Sequence, residues 1–454
     1  MMFRWLLLVA AAGSLHGEIR AGAAAVKITP PKGAPMAGYY YGRAAEGVHD
    51  DLFAKALVFD DGATRAAMVS CDLIHMPGSI ATKARDEAAR RTGIPAANIL
   101  VSATHTHTGP QFPGADGRFR GGGETARIAE QYAAELPGLI AESVEKAVAA
   151  LAPVTVSAAV GREETLAFNR RYWMTDGTVG WNPGKNNPRV VRPAGPVDPE
   201  VPVVAVRRAD GAAVASYVNF AMHLDTVGGM QFSADFPYTL ARLFGETTGG
   251  VTLFTMGCSG NVNHLDVNWS DRQKGHGEAA RIGTVLAGEA LRAWKRARPV
   301  EAARVRVSSE QVSLPPAGVT AADVDWARPV AATFDKPNAA PFLDLVRAIK
   351  VLDVAAREGR PFDAEVQVIA LGRDLAWVGL PGEIFTELGM AIKQASPFRH
   401  TIVVSMANDH LGYIPNRRAY AEGAYEVVST RCAAGAGEML VESATRQLVA
   451  LHQK

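Results

Sequence analysis

The spacing of apolar positions changes period along the chain, and each change marks an element. Alternating or continuous apolar runs predict strands over residues 21–29, 52–59, 66–70 and 99–103, with a turn at Asp60-Asp61-Gly62. Apolar residues three and four apart predict helices over 80–91 and 126–151. The second half reads the same way. Strands are expected over 201–207, 213–220, 251–255, 305–312, 365–371, 375–380 and 402–406, and helices over 236–247, 277–298, 384–394 and 438–451. Asp235 stands as an N-cap, with Pro237 in the first turn behind it. Residues 321–360 are mostly helical, with prolines interrupting them. Alternating strands and helices predict an α/β fold with mixed β-sheets flanked by helices. The sequence shows no internal repeat and no low-complexity linker.

A chain of 454 residues is long for one core, so one large domain with insertions or two packed subdomains both fit. Apolar residues at 48% and charged residues at 20% give a globular balance. The formal net charge of +1 provides no general attraction to nucleic acid or anionic membrane, so nucleic acid is not expected as a partner. At the N-terminus, Arg4 precedes an apolar run from Trp5 to Ala12, followed by the small residues Gly13, Ser14 and Gly17. The run is too short to span a bilayer, and it reads as an export signal over residues 1–17 ahead of a domain at 18–454; a retained anchor is the lesser reading. The expected location is secreted or periplasmic. Cys71, Cys258 and Cys432 are far apart and read as small buried hydrophobes, although export would permit one disulfide. The Gly-rich stretch 114–123 lacks a phosphate-loop signature and reads as a flexible rim.

Polar motifs follow several of the predicted strands, where α/β proteins commonly place their sites. The first runs from Ser102 to Pro110 and contains His105 and His107. Two residues apart on a strand, they would face one side and point at one centre, as metal ligands or as a hydrogen-bonded pair. His223 follows the 213–220 strand and alone reads as structural. The run Gly257 to His264 is no nucleophile elbow, because Asn261 takes the last glycine position, and Ser259 and Cys258 are weak nucleophile candidates. Glu383 lies between a strand and a helix, where its own position favours a helix-start charge over a ligand. A fifth motif, Asn408 to Pro415, leads to Tyr420, Tyr425 and Glu426. Asp72 and Asp225 are candidates for orienting a ligand histidine, with a turn or cap role slightly favoured.

Together these segments resemble the neutral ceramidases, of the neutral/alkaline non-lysosomal type. The resemblance rests on residues 21–31 (AGAAAVKITPP), 36–39 (MAGY), 47–58 (GVHDDLFAKALV), 102–110 (SATHTHTGP), 381–383 (PGE) and 413–430. It implies a ceramidase-like catalytic domain and a Zn²⁺ ion held by His105, His223, Glu383 and Tyr413. It further implies that His107 is a nearby acid/base residue, that Arg170 of the Asn169-Arg170 pair holds an oxyanion, and that Tyr425 assists at the transition state. The implied reaction is hydrolysis of the amide of ceramide or a ceramide-like lipid, with a small-molecule or lipid substrate as partner and peripheral contact with membrane lipid. Two departures stand out. Asn263 occupies the position of a site serine in the family, which leaves room for a different N-acyl or acyl substrate. The C-terminal immunoglobulin-like domain that usually accompanies the family is not expected here. A zinc-bearing protein without turnover is the remaining alternative, and it would need neither Arg170 nor Tyr425.

Overall fold

The computed structural model describes residues 18–113, 122–301, 304–334, 336 and 339–454. The expected export signal and most of the 114–123 segment lie outside the described residues. Three main sheets carry the fold. The first has the order Ile99–Ala103, Arg65–Cys71, Phe53–Asp60, Arg20–Lys27, Ala152–Pro153. The second runs Val251–Met256, Ala213–Phe220, Glu200–Arg207, Thr155–Arg162, Arg298–Pro299. The third runs Val305–Leu314, Phe362–Leu371, Leu375–Gly379, His400–Val404.

All three are built alike. Three successive strands pair antiparallel, a helix crosses over, and a fourth strand joins parallel to the third. The crossover helices are Gly78–Thr92, Phe236–Thr248 and Thr386–Ala395, and a second helix follows each unit at Gly123–Ala149, His276–Arg296 and Ala436–Gln453. The topology thus repeats three times although the sequence does not, because strand pairing needs only the period-two pattern and not particular side chains.

That pattern sorts each sheet into two faces. Leu57, Phe59 and Met68 of the first sheet, Val204, Val206 and Tyr217 of the second, and Ile369, Leu371 and Trp377 of the third share one central core. The intervening residues, such as Ala56, Val58, Val203 and Phe220, point outward under the covering helices, as do Val368 and Val378 of the third sheet. Trp377 is fully buried at the meeting point, with ring centroids 5.9 Å from Phe59 and 5.8 Å from Tyr217, one aromatic from each sheet. Removing such a ring costs about 3–5 kcal/mol.

The sheets join at the C-terminal ends of their parallel strands. Ala103 N–H donates to Met406 O (3.1 Å), Asn408 N–H to Val101 O (2.7 Å) and Ser405 N–H to Met256 O (3.0 Å). Each unit also carries an insertion between its first and second strands: the loop through Gly38 to Tyr41, the small sheet Arg171–Met174, Val179–Trp181 and Val190–Pro193, and the helices Ala321–Ala331 and Phe342–Ala355. The helix expected over 277–298 stops at Arg296, because Arg298 and Pro299 pair with Ser157 and Ala158 at a sheet edge. The three cysteines are buried and unbridged. No helix among the described residues is long and apolar enough to cross a membrane.

Candidate metal centre

The joined strand ends bring together residues from all three units. Immediately past Ala103 the chain leaves the strand, and His105 adopts a left-handed backbone (φ 74°), a conformation that costs a non-glycine residue about 1–3 kcal/mol. Thr106 then bridges to Leu224. His105 and His107 do converge, with rings 4.9 Å apart, but through this turn and not through the alternation of a strand. Gly38 makes the turn possible: a Cβ there would sit 2.5 Å from His107 O.

Backbone carbonyls fix the rings. His105 Nδ1 donates to Ile74 O (2.6 Å), and His223 Nδ1 to Ser259 O (2.8 Å). Each Nε2 is thereby left with its lone pair facing the centre. His107 Nδ1 faces Gly38 O at 3.1 Å, and its Nε2 lies 3.3 Å from His105 Nε2. One nitrogen from each of His105, His107 and His223 falls within 4.8 Å of the other two.

Glu383 does not start the following helix, which begins at Thr386 with Glu387 as its first-turn acid. It forms, with Ile384, a two-residue strand paired in parallel with Tyr413 and Ile414, and Glu383 and Tyr413 are register partners. Glu383 Oε2 lies 3.1 Å from His223 Nε2 and 3.5 Å from His105 Nε2, and Tyr413 Oη is 3.4 Å from His223 Nε2. Four ligands at about 2.0–2.1 Å from a tetrahedral zinc stand about 3.3–3.4 Å apart, so these spacings suit one ion. The charge states suit it too. Burial would raise Glu383, but His105, His223 and His410 outweigh it and hold the carboxyl well below its usual range. Burial, with Arg170 nearby, lowers His223 to about 4, and burial lowers His107 to about 3. Neutral imidazoles beside an ionised carboxylate are the donor set of a borderline divalent cation.

A second tier surrounds these groups. Arg170 Nη2 donates to Tyr413 Oη (3.0 Å) and to Gly260 O (2.8 Å), while its Nε donates to Glu426 Oε1 (2.8 Å). Burial disfavours the Arg170 charge, but Tyr413 and Glu426 outweigh that and raise its pKa. Tyr425 lines the cavity, its ring 5.4 Å from that of Tyr413 and 4.5 Å from that of Trp181. Phe342 packs against Tyr40, Trp181 and Tyr425, so each unit's insertion contributes an aromatic to the rim. The cavity itself holds about 30 Å³, room for about one water-sized group.

The structure therefore gathers all seven residues picked out from the sequence. Asp225 also reaches the site, 3.7 Å from His107 Nδ1 and accepting from Tyr39 Oη (3.1 Å). Asp72 does not; it stands opposite Phe53 at the end of the first sheet, accepting Phe53 N–H (2.9 Å) and donating its own N–H to Phe53 O (3.0 Å). Asn263 donates to Asn182 Oδ1 (3.1 Å) and accepts from Leu265 N–H, and it is not among the residues lining the cavity. Three contributors carry no local sequence signal. His410 Nε2 lies 3.4 Å from Glu383 Oε1, His75 stacks on His410 (4.6 Å), and Glu426 binds Arg170 and Arg171 together. Only the place of His410 and Glu426 inside the later motifs pointed toward them.

Three helix-covered sheets around one core, with imidazoles, a carboxylate and a phenol buried where their strand ends meet, define an α/β protein whose clustered donor groups could hold a metal ion. Its fold is that of the neutral ceramidases. The neutral ceramidase from Pseudomonas aeruginosa matches with a TM-score of 0.74 at 19% identity, over 96% of this chain and 75% of that one. A ceramidase complexed with C2 matches at 0.73 and 18% identity, over the same shares. No protein-family model and no curated protein matches the chain by sequence.

Proposed function

We propose that the chain is a zinc-dependent amidohydrolase that cleaves the N-acyl bond of ceramide or a ceramide-like lipid. The observation that carries this reading is the convergence of His105, His223, Glu383 and Tyr413 at zinc-ligand spacing beside the charged Arg170. Zinc, when bound, supplies Lewis-acid chemistry that polarises a carbonyl and makes water a competent nucleophile near neutral pH. The remaining work falls to side chains. Arg170, locked between Glu426 and Gly260, presents fixed positive charge where the carbonyl oxygen becomes negative, and the Tyr425 hydroxyl adds a donor there. His107, with Asp225 3.7 Å from its Nδ1, is placed to accept the proton of the attacking water and return it to the leaving amine. The cavity admits only the reacting group, and the body of the substrate lies over the aromatic rim. Tyr41, Phe342 and Leu343 are exposed by 55%, 42% and 42%, which suits an apolar substrate or a lipid surface. Export to the periplasm or medium is part of the reading and rests on Arg4 and the apolar run behind it.

A different N-acyl or acyl substrate is the second reading. It is favoured by Asn263, which stands where the resemblance expects a serine and turns its amide toward Asn182. A scaffold without turnover is disfavoured by Arg170 and Tyr425, which a ligand-only site has no use for. The test is turnover of a short-chain ceramide against other N-acyl amines and esters, with chelator-treated protein as control. Cleavage of ceramide alone supports the first reading and preferred cleavage of another substrate the second. Failure of the metal-loaded protein to cleave any amide or ester refutes both.

A further inference from the structure

The 47–58 motif contributes nothing to the centre described so far, yet it places two adjacent donors beside a third from a distant helix. His49 Nδ1 lies 2.9 Å from Asp50 Oδ2. His276, the first residue of the helix His276–Arg296, lays its ring parallel to that of His49, with centroids 3.5 Å apart and an interplanar angle of 8°. One donor atom from each of the three lies within 4.8 Å of the others. We propose that His49, Asp50 and His276 form a second metal site, suited to zinc or another borderline divalent ion.

The donor chemistry is a pair of imidazoles and one carboxylate, a set that zinc accepts with water completing the shell. The carboxylate is fixed before any ion arrives. Asp50 is buried, its Oδ1 accepts Ala234 N–H (2.7 Å), and its Oδ2 accepts the Ser233 hydroxyl (2.6 Å). A carboxylate oxygen with two partners keeps capacity for a cation. The two rings are partly open to solvent, which gives an ion a way in. The two rings lie face to face at 3.5 Å with their in-plane lone pairs parallel, so an ion joining them turns the exposed His49 ring out of the stack while Asp50 and His276 stay in place. The helix N-terminus opposes a cation at His276, and the Asp50 charge beside it compensates.

The position also gives the ion something to hold. Residues 49 and 50 continue the parallel bridge between Gly47–Val48 and Gln231–Phe232. The carbonyl of Ser233, whose hydroxyl binds Asp50, accepts the hydroxyls of Thr106 (2.6 Å) and Thr108 (3.0 Å) on either side of His107. An ion here would clamp the 231–235 segment to the 276–296 helix and so brace the loop that carries His105 and His107.

The experiment is zinc binding to chelator-stripped protein, with equivalents counted by calorimetry and elemental analysis. The His49→Gln/His276→Gln variant is expected to bind one equivalent fewer than wild type, with an unchanged circular-dichroism spectrum. His223→Ala, which removes a ligand of the other centre, is expected to keep the equivalent that the double variant loses. Copper(II) added to His223→Ala is expected to show nitrogen hyperfine coupling from two imidazoles, which His49→Gln alone reduces. Equal stoichiometry in wild type and the double variant overturns the proposal, as does a copper spectrum with no imidazole coupling. A wild type that binds one equivalent, lost in the double variant and kept in His223→Ala, would uphold this site while removing the catalytic reading.

Discussion

Glu426→Gln is the most direct probe of how the candidate centre is braced. The Glu426 side chain is fully buried, and its two oxygens accept from Arg170 Nε (2.8 Å) and Arg171 Nη1 (3.0 Å). Those guanidiniums are themselves 6% and 2% exposed, so water does not replace a lost partner. Glutamine keeps the volume but removes the charge and one acceptor, leaving Arg170 with only neutral partners and Arg171 with Glu422 as its remaining carboxylate. Two charge-assisted hydrogen bonds contribute about 1.5–3 kcal/mol each. Breaking a buried ion pair from one side costs about 3–5 kcal/mol, and the two figures agree. An unfolding entropy of about 2.1 cal/mol/K per residue, over 454 residues, makes about 1 kcal/mol equivalent to one degree. The melting temperature of chelator-stripped Glu426→Gln should therefore fall by about 3–5 °C by circular dichroism. Glu124→Gln, which removes an exposed partner of Arg127, should not move it measurably. A Glu426→Gln protein that melts with wild type would show that the buried network contributes nothing, and the argument that Glu426 fixes Arg170 would fall with it.

The other expectations are more local. Glu383→Gln and His105→Ala should each lose the metal equivalent of the main centre, read by elemental analysis after dialysis; retention of that equivalent in both removes the ligand assignment. Tyr425→Phe should keep metal and lose about 10²–10³ in kcat, the usual effect of deleting an oxyanion donor; unchanged turnover takes Tyr425 out of the mechanism. Burial raises Asp72 to about 6, so its contribution to stability is fully present below the unfolded value near 4 and is lost as pH rises through 6. Asp72→Asn should thus gain up to about 3 kcal/mol relative to wild type between pH 4 and pH 7 in urea titrations. A pH-independent difference would show that Asp72 is not shifted.

Much of the scaffold was legible from periodicity, because each strand has one face on the central core and one under helices. The runs around Leu57, Val204 and Ile369 are dense enough in apolar residues to announce this. The small sheet around Arg171–Met174 was not announced: its strands are short and partly exposed, and their pairing follows from the units they sit between. At the centre, the two-residue spacing of His105 and His107 signalled convergence, although the strand geometry that suggested it ends two residues earlier. Glu383 looked like a helix-start charge because nothing local reveals that it pairs with Tyr413, thirty positions later. Only the family resemblance drew His223, Glu383 and Tyr413 into one set. His75, His410 and Glu426 become partners solely through tertiary packing, which no window of sequence contains.

The threefold arrangement has a consequence for how the molecule comes apart. His105, His223 and Glu383 belong to three different units, and the last two are 160 positions apart. An ion seated among them would be a cross-link between units that share no covalent bond other than the chain itself. Its binding free energy exists only while all three sheets are docked, so opening any one unit forfeits all of it. At a hundredfold excess over the dissociation constant that is about 2.7 kcal/mol, available to the fully assembled state and to no partly opened one. Bound metal would therefore add cooperativity as well as stability, binding three similar units into a single melting body.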